Sequence, residues 1–245
     1  MSTPDAQEVH RVVVARAQDE RAEVALARRG AVTELIVDGV FAMDTVDTGT
    51  ERALARLALD RWQGHDGQRR EERDPGGRPG ARVLVGGLGL GFTTAALLAD
   101  PRVATVHVVE LHAAVVEWAR AGMLPLPAAA LSDPRLTVTV GDVVDLLPTI
   151  PAGSFDALLL DVDNGPGFLI HPPNAVVYQP QFLRTALDLL APGGVLAVWS
   201  ADRAPALADA LRTAGADCRE VTLPVHRDGR DLEYALYLAV AVGGR

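Results

Sequence analysis

This chain of 245 residues contains no lysine; all 23 of its basic residues are arginine. That excludes a P-loop, whose phosphate grip needs Gly-Lys-Ser/Thr, and any chemistry through a lysine Schiff base. One cysteine, Cys218, excludes an internal disulfide and a cysteine metal cluster. The six histidines are scattered without ligand-type pairing, so no metal is expected. Residues 83–99 lack charge, but they carry four glycines and are too short for a membrane span. The N-terminus is polar and charged, unlike a signal peptide. Positive charge is in deficit: the net charge is −9 and the pI about 5.1, which argues against a nucleic-acid backbone as partner. These absences point to a cytoplasmic chain that neither binds nucleic acid nor crosses a membrane. The acidity suits a cationic small molecule.

What the chain has in abundance at one place is glycine. Val83-Leu-Val-Gly-Gly-Leu-Gly-Leu-Gly-Phe-Thr-Thr-Ala-Ala-Leu-Leu-Ala99 passes from β-branched residues through glycines into helix formers. That is strand, tight turn, helix. Gly86 ends the strand, and Gly87, Gly89 and Gly91 read G-x-G-x-G. Glycine lets the turn take φ > 0 and lets a ligand approach bare backbone. The helix start then offers free N–H groups. The dinucleotide fingerprint G-x-G-x-x-G fails by one position, since its third glycine would fall at Phe92. The next apolar run, Val103 to Val109, ends in Glu110, followed by Leu111. An acid there is placed to accept hydrogen bonds from ribose hydroxyls. The pattern predicts a nucleoside-cofactor site.

The length suits one α/β domain with a small appendage. Short β-type runs at Val9–Ala15, Glu23–Ala27, Val32–Val37 and Val40–Met43, with a hairpin signal at Asp38-Gly39, predict a small antiparallel sheet over 1–48. Residues 49–80 read as a helix, Thr50 to Trp62, capped by Thr48 or Thr50, and then a polar linker over 63–80. From 81 to 245 strand and helix alternate, which predicts a doubly wound, mostly parallel sheet. Strands are expected at 82–86, 103–109, 136–140, 155–161 and 194–200, and helices at 91–99, 112–121, 142–147, 177–190 and 203–214. Cys218–Leu223 and Leu232–Val240 read as a closing antiparallel hairpin around His226-Arg-Asp-Gly229.

Ligands of open α/β sheets sit at the carboxyl ends of the strands. The third strand ends in Gly141-Asp142-Val143. Asp142 is placed to accept the adenine amino group and the Val143 N–H to meet a ring nitrogen; Asp142 also reads as a helix N-cap. The fourth ends in Asp161-Val-Asp163-Asn164-Gly-Pro166. Two carboxylates that close perturb each other's pKa and can orient or deprotonate an amine, while Asp-Asn-Gly-Pro is also a turn signal. The polar loop 162–176 that follows has the length of a substrate lid, and Tyr178 and Gln179, where it re-enters a helix, are placed to touch substrate, Tyr178 reading equally as a partly buried tyrosine.

Together these segments resemble the spermidine synthase family of aminopropyltransferases and its methyltransferase-like relatives. The matching pieces are Val37-Asp-Gly-Val-Phe41, Thr50-Glu-Arg52, Val83–Gly91, Val108-Val-Glu-Leu111, Gly141-Asp142, Leu160-Asp161 and Ala191-Pro-Gly-Gly194. The resemblance implies a class I methyltransferase-like Rossmann fold preceded by a β piece, and a homodimer. It implies Glu110 for the ribose, Asp142 for adenine and Asp161 as the base that deprotonates the attacking amine. Three positions depart from the pattern. Gly89 stands where spermidine synthases carry the aspartate that holds the amine of decarboxylated S-adenosylmethionine. Asn164 stands where they carry a second aspartate, with Asp163 one position early. Glu51-Arg52 lies near the place of their Tyr-Gln pair.

Two activities therefore stay open. One is transfer of a methyl group from S-adenosylmethionine to an amine or hydroxyl of a small molecule, which Gly89 favours, with Asp161 orienting or deprotonating the acceptor and Asp163 and Asn164 as helpers. The other is aminopropyl transfer from decarboxylated S-adenosylmethionine to a diamine held by Asp161, Asp163 and Glu51. Arg52 is placed to pair with a carboxylate of cofactor or substrate, or to lie solvated on its helix.

Overall fold

The computed structural model describes residues 10–62, 80–227 and 229–242. The first four strands, β1 (Arg11–Gln18), β2 (Glu23–Arg29), β3 (Val32–Val37) and β4 (Val40–Asp44), form an antiparallel sheet in sequence order. Asp38 and Gly39 both take positive φ, 49° and 76°, which is the turn that two-residue hairpins favour. Helix α1 (Gly49–Arg61) follows. The expected linker, apart from Gly80, lies outside the described residues, as do the first residues of the chain.

The second sheet has seven strands: β5 (Ala81–Gly86), β6 (Val103–Glu110), β7 (Leu136–Val140), β8 (Phe155–Leu160), β9 (Leu190–Ser200), β10 (Ala216–Arg227) and β11 (Arg230–Ala241). Their spatial order is β10-β11-β9-β8-β5-β6-β7. The pairs among β5 to β9 are parallel, and β11 is antiparallel to both neighbours. The chain winds outward from β5 to one side through β6 and β7, then returns to β8 on the other. That reversal puts a crevice at the carboxyl ends of β5 and β8.

The strands bury both faces. Val83, Val85, Val106, Val108, Ala157 and Leu159 join one apolar cluster; the alternate residues Leu84, Val109, Leu158 and Leu160 join the other. The first cluster holds α1, α2 (Phe92–Ala99), α3 (Ala113–Arg120) and the N-terminal sheet, through residues such as Leu26, Leu35, Leu54, Leu97 and Val115. After α3 comes a single turn, α4 (Ala128–Leu131). The second cluster holds α5 (Val143–Leu146), α6 (Pro180–Asp188) and α7 (Pro205–Thr213) through Val143, Leu183, Leu207 and Leu211. Among the described residues no helix is long and apolar enough to cross a membrane.

Several boundaries differ from the sequence expectation. The helix expected over 177–190 is two elements, a 3-10 segment Pro172–Tyr178 and then α6, so the lid-length loop already turns helical at Pro172. Pro180 brings no N–H and fits the first position of a new helix, so the break falls there. The closing hairpin is longer than expected, twelve residues per strand. Pro224 lies inside β10, which tolerates it because β10 is an edge strand. Helix α4 carries three alanines and a leucine and gave no periodic signal.

Candidate active site

A cavity of about 200 Å³ opens at the carboxyl ends of the parallel strands and is roofed by the N-terminal sheet. Its floor is a row of strand ends in the order β9, β8, β5, β6, β7. At roughly 4.8 Å per strand this row is about 19 Å long.

Gly87 stands at the centre. It has φ 93°, donates its N–H to the Val109 carbonyl at 2.8 Å, and lies so close to the next strand that a Cβ would sit 2.0 Å from the Asp161 carbonyl oxygen. Only glycine permits that approach. Gly89 and Gly91 also have positive φ, and a Cβ on Gly89 would meet Met43 Sδ at 2.6 Å. The loop between them reaches up to the roof, where the Leu90 N–H donates to Met43 Sδ at 3.2 Å.

On the β6 side Glu110 is 6% exposed. One carboxylate oxygen accepts the Leu88 N–H at 2.8 Å and the other the His112 N–H at 2.9 Å. It ties the glycine loop to the next loop, and each oxygen keeps a further lone pair toward the cavity. Leu111 and Gly141 line the cavity beside it, and a Cβ on Gly141 would meet nothing within 4 Å. Asp142 caps α5 by accepting the Val144 N–H at 2.9 Å, and its other oxygen accepts from Arg21 Nη1 at 2.7 Å. Val143 is buried beneath it. Arg21 comes from the β1–β2 turn, and so does Asp19, whose carboxylate lies 2.9 Å from His112 Nδ1. Burial opposes ionisation of Asp19, but hydrogen bonds from His112 and from the Ala22 and Arg21 N–H groups outweigh it and hold its pKa at about 2. The turn clamps the β6–β7 end of the cavity through two side-chain contacts, Arg21 to Asp142 and Asp19 to His112.

On the β8 side Asp161 opens on the cavity yet is ringed by protein. That desolvation pushes its pKa up to about 6, against the hydrogen bond donated by Thr93 Oγ1 at 2.7 Å. Thr93 stands in the first turn of α2, directly after the glycine loop. Glu51, in the first turn of α1, is 5% exposed and accepts from Thr50 Oγ1 at 2.9 Å. Burial, and then the nearby Asp161 charge, push its pKa up to about 7. The two carboxylates are thus coupled, and near neutral pH they hold between them less than two full charges.

Asp163 is engaged differently. Its two oxygens accept from the N–H groups of Asn164, Ile170 and His171 and from Asn174 Nδ2, at 2.7 to 3.2 Å. It organises the loop that walls the cavity, and Asn164 lines that wall, its carbonyl accepting the Ala201 N–H. The hairpin end of β10 and β11 completes the wall with Arg227 and Tyr234; Tyr234 stacks edge-on against Trp199 at 5.1 Å.

Three residues expected to touch substrate do not line this cavity. Arg52 points outward, with its Nε donating to Thr48 Oγ1 at 3.3 Å and its guanidinium 5.5 Å from the Phe92 ring. Tyr178 is buried under the loop, where its hydroxyl meets the Gly165 backbone. Gln179 is exposed at the start of α6. Conversely Arg21, Met43, Thr93, His112, Arg227 and Tyr234 enter the site without having been singled out. Thr93 and His112 had a usable signal, each lying two residues past a motif glycine or acid. The others come from hairpins whose placement is a tertiary matter.

Residues 76–222 match the family model described as the spermine/spermidine synthase domain. The chain is 32% identical over 115 residues to putrescine N-methyltransferase 3 of Nicotiana tabacum, a stretch covering 47% of this chain and 29% of that protein. It is 34% identical over 122 residues to a polyamine aminopropyltransferase of Mycobacterium tuberculosis, covering 49% of this chain and 23% of that one. This chain thus spans less than a third of the length of either curated relative. A spermidine synthase from Thermotoga maritima superposes over 93% of this chain and 72% of its own, with a TM-score of 0.69 at 16% identity, a likeness of fold.

Proposed function

The chain belongs to the spermine/spermidine synthase family, and we propose that within it this protein is a methyltransferase that moves the methyl group of S-adenosylmethionine to the amine of a small acceptor. One observation carries the choice of methyl over aminopropyl transfer. Where the family resemblance calls for an aspartate to hold the aminopropyl amine, this chain has Gly89 at φ 52°, and Met43 Sδ lies 2.6 Å from where a Cβ would stand. A thioether fills the place of a carboxylate. The ammonium of decarboxylated S-adenosylmethionine, without the α-carboxylate that accompanies it in the intact cofactor, would have no counter-charge there among the described residues.

The residues present fit the nucleoside part of such a cofactor. The glycine cradle bares its backbone, Glu110 keeps acceptor lone pairs at the ribose position, and Asp142 lies one strand further for the adenine amino group, its charge shared with Arg21. When bound, S-adenosylmethionine supplies a sulfonium-activated methyl group, so the protein need only present a lone pair in line with it. Asp161 is the group that frees that lone pair. Thr93 fixes one of its oxygens, leaving the other to accept a proton from the acceptor ammonium. Its pKa of about 6 keeps it ionised at neutral pH yet basic enough to take the proton. Glu51 supplies a second carboxylate that attracts the cationic amine. Asp163 holds the loop wall, and Asn164 presents that wall to the acceptor.

The runner-up is aminopropyl transfer, which the same acidic acceptor end favours. Calorimetric titration with S-adenosylmethionine and separately with its decarboxylated form distinguishes the two. Tighter binding of the intact cofactor is expected; tighter binding of the decarboxylated form would overturn the methyltransferase reading. Asp161→Asn is expected to lower kcat on the order of 10²–10⁴-fold with cofactor affinity retained. Unchanged turnover would remove Asp161 from the role of base.

A further inference from the structure

Arg227 is the one guanidinium lining the cavity among the described residues; among those residues Asp44 is its one ion-pair partner, and Glu51 stands within electrostatic reach of it. Its side chain is 13% exposed. A single Nη2–Oδ1 contact of 3.3 Å joins it to Asp44, longer than the 2.7–2.9 Å usual for a charged pair. Its Nε is buried without an acceptor among the described residues. The Phe41 ring, 5.0 Å away, supports the guanidinium from one face and so sets its plane. The indole N–H of Trp199, in the same wall, also lacks an acceptor among the described residues. Buried donors left short of acceptors are costly, and a guanidinium offers five in a rigid fork suited to a planar carboxylate.

Where Arg227 stands decides which ligand would answer it. Glu110 ends β6 and Asp161 follows β8, while Arg227 and Tyr234 lie on β10 and β11, beyond β9 on the far side of Asp161. The long hairpin overruns β9 and brings Arg227 over to the roof at Phe41 and Asp44. The nucleoside part of a cofactor held at Glu110 and Asp142 lies at the other end of the row.

We propose that the acceptor is an amino carboxylate, its amine at Asp161 and Glu51 and its carboxylate on Arg227. This rests on the methyl-transfer reading above and narrows it: a plain diamine would leave the Arg227 fork unanswered and place a second cation beside it.

The test uses the full chain saturated with S-adenosylhomocysteine, titrated calorimetrically with a diamine and an ω-amino carboxylate of equal chain length. The amino carboxylate is expected to bind at least tenfold more tightly. Arg227→Gln is expected to abolish that ratio, and Arg227→Lys, which keeps the charge but loses the fork, to restore part of it. Since Arg227→Gln leaves buried Asp44 without its ion-pair partner, the double variant Asp44→Asn/Arg227→Gln gives the same reading if the single variant does not fold. Tighter binding of the diamine, or a ratio unchanged in the double variant, would overturn the inference and leave methyl transfer standing. So would a loss of affinity in Arg227→Gln for S-adenosylmethionine but not for its decarboxylated form, which would give the carboxylate to the cofactor. No binding of either S-adenosyl compound to the wild-type chain, or of either amine to the loaded protein, would bring down the underlying reading together with this one.

Discussion

The two ends of the cavity are built by different means. At the β5–β6–β7 end the surface is mostly backbone: a glycine loop with three positive-φ residues and two strand-end carboxylates already held by N–H groups. At the β8–β9 end it is side chains brought from four separate segments: Glu51 from α1, Asp161 after β8, and Arg227 and Tyr234 from the closing hairpin, under Phe41 and Met43 of the roof. A backbone site is fixed once the strands pair, and it suits a ligand common to many proteins. A side-chain site can change its acceptor by one substitution without disturbing the sheet, so acceptor specificity is expected to reside there.

Gly87 joins the two ends, and altering it should give the largest effect. A Cβ there would lie 2.0 Å from the Asp161 carbonyl oxygen, and φ is 93°. Gly87→Ala combines overpacking against backbone with left-handed strain, and should destabilise the fold by about 3–5 kcal/mol in urea melts. Gly141→Ala is the matched control: its Cβ would meet nothing within 4 Å. It should change stability by no more than about 0.5 kcal/mol, so that any effect appears in cofactor affinity. Equal destabilisation by the two would show that the close approach at Gly87 is not what holds the ends together.

The acceptor end should reveal itself through pH. Glu51 has its pKa raised in the folded chain from 4.5 to about 7 and Asp161 from 3.8 to about 6, both first by burial. A raised pKa means that the folded state binds the proton more tightly than the unfolded one. Its contribution is full below pH 4 and is lost as pH rises through 6 to 7. Glu51→Gln removes about half of that loss. The variant should be more stable than the wild type by about 2–3 kcal/mol at pH 8 and no more stable at pH 4. A constant difference across this range would mean that Glu51 is not the titrating group.

How far the sequence could be read follows the same division. Gly87, Glu110, Asp142 and Asp161 were legible because each ends an apolar run, and a parallel sheet brings strand ends to one edge whatever else happens. Glu51 and Arg52 show where that logic stops. Neighbours on a helix point about 100° apart, so one faces the cavity and the other stacks on Phe92 outside it. Nothing local says which. Tyr178 adjoins the loop in sequence, yet its hydroxyl meets the Gly165 backbone beneath it. Arg227 reads as an ordinary turn residue until a hairpin longer than expected, with Pro224 tolerated on the edge, carries it to the roof. Asp163 looked like the twin of Asp161, and only the folded loop shows its oxygens already occupied.

The smallest expected effect concerns the β1–β2 turn, whose side chains reach into the backbone-built end. Arg21 donates to Asp142 at 2.7 Å, but the arginine is 39% and the aspartate 19% exposed. Pairs this open to solvent are worth about 0.2–1 kcal/mol and are screened by salt. Asp142 keeps its cap hydrogen bond to Val144 without help, so Arg21→Ala should leave stability nearly unchanged. What Arg21 adds is orientation, by pinning the second carboxylate oxygen toward the site and drawing the β1–β2 turn over it. Its loss should weaken S-adenosylmethionine binding by about two- to fivefold at low salt, corresponding to that same energy range. The difference should shrink at high salt, where the wild-type pair is itself screened. A loss that persists undiminished in high salt would make the turn a packed lid rather than an electrostatic clamp, and the cofactor end would then depend on side chains as fully as the acceptor end does.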